Sequence, residues 1–380
     1  METLIAEPEI VEQSSITDDG TGVEIEDAES AEPITSPFDP SLISVVPRPM
    51  TIDLLISRMK EGEIDLTPGF QRHQGIWNDG AKSRLIESLL IRIPLPAFYF
   101  DATDDEKWII VDGLQRLTSL NRFVIKKDLR LSKLEFLTEY EGKKYDELPR
   151  SLQRRINEAQ VTAYLIEKGT PANVKFTLFK RINTGGLPLS PMEIRHALNQ
   201  GKATELLAKL SKSEAFQKAT AYSIRDERMA DHECVLRFLA FSLTAYSKYK
   251  EDLDTFLNNA MADLNKMPDS QIEKLEKRFL RAMKWAADIF GLQAFRRPSQ
   301  AGRRSAINKS LFEVWSVNLD NLNDAQLRRL VERREKLNQK YLELVKNPEF
   351  DKAISFATGA SERVRTRFSK VEKLIHEVLQ

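Results

Sequence analysis

The sequence predicts an α+β protein, with a mixed α/β first domain and an all-α second one. Short β-type runs ("AFYF", "WIIV", "VTAYLIE") alternate with amphipathic helices up to about residue 200, and beyond that point strand signals stop while helical periodicity runs to the end. The N-terminus stands apart from both. Residues 1–40 carry 12 acidic and no basic side chains, with many Ser, Thr and Pro and few large apolar residues. That composition predicts a disordered acidic tail over 1–43. The expected organisation is therefore a tail (1–43), an α/β domain (44–200) and a helical domain (201–380).

Taken in order, "TIDLLISRMKEGEI" places Ile52, Leu55, Ile56 and Met59 on one face of a short helix. A loop punctuated by Pro68, Gly69, Gly75 and Gly80 follows. "AKSRLIESLLIRI" is helical again, with Leu85, Ile86, Leu89, Leu90 and Ile93 inward, and Pro94 and Pro96 end it. Residues 97–111 predict two strands around a polar turn at 102–106. "LTSLNRFV" then reads as a helix burying Leu117, Leu120 and Val124. Residues 126–160 are less regular, and 161–167 predict a third strand.

Thr170 and Pro171 open a helix carrying Val174, Phe176, Leu178, Phe179 and Ile182, which Gly185 and Gly186 stop. In "LSPMEIRHAL", Ser190 is the cap, Pro191 the first helical residue and Glu193 the returning half of a capping box. Helices are expected over 203–211, 231–246, 252–265, 270–290, 305–317, 324–346 and 361–379.

Composition excludes several classes. No run of about 18 apolar residues exists, so no membrane span is expected. A basic start followed by an apolar stretch is also missing, and a cytoplasmic location is expected. Cys234 is the sole cysteine, which leaves no intramolecular disulfide. The four histidines (His73, His196, His232, His376) lack zinc-site spacing, and "DHEC" at 231–234 merely opens a helical run. The formal net charge of zero hides an asymmetry, because the chain after residue 40 carries 57 basic against 45 acidic side chains. A moderately basic body permits nucleic-acid binding without requiring it.

Chemistry concentrates at "VDGLQRLTSL", residues 111–120, where a strand meets a helix. Asp112 at the strand end can hold Mg²⁺ or orient a water, Gly113 admits close backbone approach, and Arg116 can grip phosphate oxygens. The same residues also fit a plain helix start, with Asp112 as cap and Arg116 in solvent. A second group, "PGFQR" at 68–72, offers Gln71 and Arg72 in a glycine-flanked loop with Trp77 shortly after. A third, "FKRINTGG" at 179–186, carries Lys180, Arg181, Asn183 and Thr184, where basic residues and glycine also suit an ordinary helix end.

Together, "PGFQRHQGIW", "IVDGLQRLTSL" and "LFKRINTGGLPLSPMEIRHAL" resemble the consecutive motifs of the GmrS-type N-terminal domain of GmrSD-like restriction systems, over roughly residues 45–200. The helical remainder, including "RDERMADHECVLRFLAF", resembles the C-terminal part of shorter members. The resemblance implies a ParB/sulfiredoxin-like fold and a nucleoside triphosphate-binding domain, with Mg²⁺ and nucleoside triphosphate hydrolysis as the family's chemistry, in DNA restriction or phage defence. Carried over residue by residue, it gives Asp112 the metal or the water, Gln115 the water or γ-phosphate, and Arg116 the phosphates. Gln71, Arg72, Gly113, Asn183 and Thr184 would complete the nucleotide pocket.

The family's turn reads Asp-Gly-Gln-Gln-Arg. Here Leu114 replaces the first glutamine, at the 114, 117, 120 spacing of an apolar face, which places hydrolysis in question more than binding. A His-Asn-His type nuclease site, carried by many members, is not expected here, so a separately encoded nuclease or defence protein is an expected partner. An alternative is a regulatory module that binds DNA or protein without turnover. For DNA contact, "FRRPSQAGRR" offers Arg296, Arg297, Arg303 and Arg304.

Overall fold

The computed structural model describes residues 21–24, 43–66, 77–182, 189–226, 228–250, 252–298 and 304–380. The chain divides into two compact units, Phe38–Leu198 and Asn199–Gln380, the latter taking in the N-terminal residues up to Pro37.

The first unit is built on a mixed sheet. Its strands are β1 (Val45–Thr51), β2 (Ile64–Asp65), β3 (Phe98–Asp101), β4 (Trp108–Asp112) and β5 (Gln160–Ile166), in the order β1-β5-β3-β4-β2. Central β3 runs parallel to β5 and antiparallel to β4, and β1 closes one edge antiparallel to β5. Helices α1 (Ile52–Lys60), α2 (Asp79–Leu90), α3 (Leu114–Leu120) and α4 (Arg150–Asn157) bury their apolar stripes with Phe98, Phe100, Trp108 and Ile110. Helices α5 (Ala172–Ile182) and α6 (Pro191–Leu198) contribute Phe176, Phe179 and Ile194 to a second cluster with Val111 and Ile166. Alternation along β3 divides the two: Phe98 and Phe100 join the first, and Tyr99 packs on the second.

Periodicity located α1, α2, both strands at 98–112, β5, α5 and α6. It missed β1, whose "VVPRPMT" carries Pro47 and Pro49. An edge strand tolerates prolines because every second N–H faces away from its neighbour. It also missed α4, where arginines dominate and only Leu152 and Ile156 are buried.

Glu87 on α2 illustrates how the irregular stretch is held. It is 3% exposed, and its carboxylate accepts from the backbone N–H groups of Glu135 (3.1 and 2.9 Å), Phe136 (2.8 Å) and Leu137 (2.8 Å). Burial works to raise its pKa, but these donors outweigh it and hold the carboxyl below its ordinary value. A depressed folded pKa contributes stability above the ordinary carboxylate range and loses it as pH falls through the folded value. Glu87→Gln should cost about 1.5–3 kcal/mol at neutral pH. Its melting temperature should converge on that of the wild type in acid, and a difference that stays constant with pH would show that the charge is not what holds the loop.

The second unit is helical: α7 (Lys202–Ser211), α8 (Glu214–Ala219), α9 (Ala230–Leu243), α10 (Leu253–Lys266), α11 (Asp269–Phe290), α12 (Lys309–Asp320), α13 (Asp324–Glu332), α14 (Arg334–Val345), α15 (Pro348–Ser355) and α16 (Ser361–Leu379). The expected 324–346 helix is interrupted at Arg333, and α8 and α15 were not foreseen. Helix α12 is buried continuously from Ser310 to Leu319 and packs against α9, α11, α15 and α16. Its sequence "SLFEVWSVNL" is apolar on nearly every side, as a central helix must be.

The charge inside it, Glu313, meets Arg367 Nε at 2.7 Å and Arg237 Nη1 at 3.4 Å. Arg237 also pairs with Glu233 (2.8 Å), which in turn receives Lys309 (2.9 Å). Cys234 lies in the same region, and burial pushes its thiol up and away from reactivity.

One expectation is corrected here. Disorder throughout 1–43 fails at Thr21–Glu24, which lie against the helical unit with Thr21 and Val23 buried. The tail's acidity hid a Gly-Val pair that supplies apolar contact and a tight backbone turn.

Candidate functional site

Strand β4 delivers Asp112 to the start of α3, and Gly113 makes the turn between them. Gly113 has φ +110°, and a Cβ there would sit 2.4 Å from Phe98 Cδ1. Both the backbone angle and the ring beneath it demand glycine. The helix cap is Gly113 rather than Asp112, so the plain-cap alternative for Asp112 does not hold.

Arg116 lies in the first turn of α3, at 8% exposure, which also removes the alternative of an arginine in solvent. Its guanidinium sits over the Phe98 ring, 4.6 Å from the centroid. Nη1 donates to the Pro96 carbonyl and to Ala97 O (3.1 Å), and Nη2 donates to Asp112 Oδ2 (2.7 Å). Arg116 thus clamps the turn to the start of β3. Burial pushes the Asp112 carboxyl above its ordinary value, against the pull of Arg116 and the Gly113 N–H. Tyr99, the register partner of Asp112 across the sheet, stacks on Tyr164 with centroids 4.9 Å apart. Burial raises its hydroxyl pKa as well.

Gln115 reaches outward from the first turn of α3, and its Oε1 accepts from Trp77 N at 3.5 Å. The Trp77 carbonyl receives Lys82 Nζ at 2.5 Å. Asn78 caps α2 by accepting from Ala81 N at 2.9 Å. The chain emerging from 67–76 is therefore fastened beside the strand–turn–helix at Trp77. Gln71, Arg72, Asn183 and Thr184 lie outside the described residues. Leu114 is 7% exposed and belongs to the first core cluster, as its spacing predicted.

Sequence reasoning did not single out Tyr99, Tyr164 or the Pro96 and Ala97 carbonyls. The period-2 pattern of "FYFD" marks Tyr99 as facing away from Phe98 and Phe100, a usable signal for the first.

Among the described residues, no group of three or more His, Cys, Asp or Glu is placed to hold a metal ion. Asp112 alone does not make a protein-held metal site, and one of its oxygens is engaged by Arg116. Of the described residues, Asp112 is the carboxylate that would contact a Mg²⁺ ion brought by a phosphate ligand.

The expected DNA contacts need correction. Arg296 is 2% exposed, and it donates to the Ser305 carbonyl, Thr220 O (3.2 Å) and Ser223 Oγ. Arg297 pairs with Asp351 (2.6 Å) and Glu24 (3.3 Å). These two arginines are committed to the protein's own carbonyls and carboxylates. A basic run in sequence carries no sign of which members turn inward. Arg304 is half-buried, and Arg303 lies outside the described residues.

A sheet flanked by helices, with an Asp-Gly turn fixed by an arginine at the end of a strand, defines an α/β domain with an elaborated strand–turn–helix junction. Residues 52–200 match the family described as the GmrSD restriction endonuclease, N-terminal domain. This part of the chain is similar to that domain, and the match spans less than half of the protein. No curated protein and no solved structure matches the chain. Among the described residues, no helix is long and apolar enough to cross a membrane.

Proposed function

We propose that this protein is the nucleoside triphosphate-binding component of a DNA restriction system. The family match supports the restriction setting. The observation that carries the nucleotide reading is the hydrogen bond from Trp77 N to Gln115 Oε1, which sets Trp77, shortly after the "PGFQR" segment in sequence, beside the Asp-Gly turn. In this reading Gln115, Gln71 and Arg72 face the phosphates, with Asn183 and Thr184 from the third motif. Asp112 is the carboxylate that would share a magnesium ion with them. Arg116 positions the turn by holding Asp112 and the start of β3, and is not the main phosphate ligand. The body's excess of basic side chains suits a DNA or nuclease partner.

A second reading, binding without turnover, is favoured by Leu114. The position of the family's first amide is here a core position. Titration of the full chain with ATP, GTP and CTP, with phosphate release followed in the same samples, tests both. Saturable binding of one nucleotide, weakened by Gln115→Ala, supports the first reading. Absence of binding to all three at millimolar concentration overturns it, and binding without phosphate release selects the second.

Leu114→Gln sharpens the distinction. It should cost about 1–3 kcal/mol, because an amide replaces a buried side chain. Phosphate release should appear or increase if the missing amide limits the chemistry. A folded variant that binds nucleotide with unchanged turnover would assign the limit elsewhere.

A further inference from the structure

The four residues Thr21–Glu24 occupy a groove with its own walls. On one side Arg225 N donates to Thr21 O at 2.8 Å. On the other, Ile307 N donates to Gly22 O at 3.0 Å and Glu24 N donates to Ile307 O at 2.8 Å, a short parallel bridge. Val23 is 2% exposed. Gly22 has φ +79°, and a Cβ there would fall 1.9 Å from Ser223 O, so the wall admits only glycine. Glu24 closes the contact, accepting from Asn308 Nδ2 at 2.6 Å and pairing with Arg297 Nε at 3.3 Å.

The walls are held together without help from their occupant. Arg296 bonds Ser305 on one wall and Thr220 and Ser223 on the other. Asn308 caps α12 through Leu311 N (2.8 Å) and also donates to Ile354 O (2.8 Å). Ile307 keeps a second, antiparallel bridge to Arg296. Ala221 and Tyr222 in the facing turn both take left-handed φ (53° and 55°), backbone conformations that cost energy in non-glycine residues.

We infer that this groove is a peptide-docking site that recognises an extended Gly-aliphatic-acidic strand by β-addition, and that its resident ligand is the chain's own Thr21–Glu24, bound exchangeably. Main-chain bonds give the attachment, while Gly22, Val23 and Glu24 supply specificity. A contact so short holds because the tether keeps the segment at high local concentration. Cutting the tether should therefore release it.

The test uses the full chain with a protease site placed within 30–36, cut after folding. The probe is a labelled peptide of residues 17–28. The uncut chain should bind the probe at least tenfold more weakly than the cut chain freed of its N-terminal piece. Gly22→Ala or Val23→Asp in the probe should abolish the gain. An N-terminal piece that stays bound through gel filtration and does not exchange with probe overturns the inference. So does a Gly22→Ala probe that binds as well as the parent, or unfolding of the helical unit on cutting. In the uncut chain, Val23→Asp should speed hydrogen exchange at the amides of Arg225 and Ile307 while the melting temperature changes little. Unchanged exchange there would count against docking altogether.

Discussion

Glu313→Ala should destabilise the helical unit by about 3–5 kcal/mol, the cost of removing one partner from a buried ion network. Glu313 and Arg367 are both fully buried, and Arg237 is 1% exposed. Removing the carboxylate leaves Arg367 with the carbonyls of Ala353 (3.2 Å) and Thr358 (2.6 Å), which accept its hydrogens but do not neutralise it. Arg237 fares better, because Glu233 stays beside it. The asymmetry yields a second expectation. Arg367→Met in the Glu313→Ala background should recover part of the loss, since burying two apolar side chains avoids the uncompensated charge. Denaturant unfolding of the single and double variants measures both. A loss below about 1 kcal/mol for Glu313→Ala, the range of exposed pairs, would show that water reaches the network.

Gly113→Ala should be the most damaging small change in the first unit. An alanine would have to adopt φ +110° and place its Cβ 2.4 Å from Phe98 Cδ1. Strain and overpacking together give a cost of about 2–5 kcal/mol. Phe98 is fully buried beneath Arg116, so it cannot swing aside without disturbing the guanidinium stacked on it. Loss of stability with altered nucleotide response is the expected result, read by thermal melting alongside titration. A partner variant, Phe98→Leu with Gly113→Ala, relieves the contact but not the backbone angle. Partial recovery is expected, and full recovery would mean that φ contributes nothing.

Much of this architecture was legible because burial follows period. Leu117, Leu120 and Val124 are inward as their spacing requires, and Ser190 with Glu193 forms the capping box that the sequence spells out, with Glu193 N donating to Ser190 Oγ at 3.1 Å. The turn at 112–116 was located by its residue types. What those types could not convey was direction. An Asp and an Arg four positions apart on a helix start look alike whether they face a ligand or each other, and here they face each other at 2.7 Å. The same blindness applied to Arg296, since a guanidinium can be buried wherever carbonyls converge on it. It applied to Val23 as well, whose acidic neighbours dominated the composition of the tail.

The sheet order also governs when the first unit can be completed. Strand β1 has β5 as its partner, and the Ser44 amide just before β1 donates to Thr170 Oγ1, 126 residues along the chain. At roughly 5–20 residues per second on a ribosome, that interval lasts on the order of ten seconds. During it β1 has been made but its neighbour has not. Pro47 and Pro49 then act in time as well as in space, because a strand that offers few N–H groups is a poor template for the nascent chain next to it. Vectorial synthesis leaves β1 waiting, and its prolines would make it a poorer template for wrong pairing meanwhile.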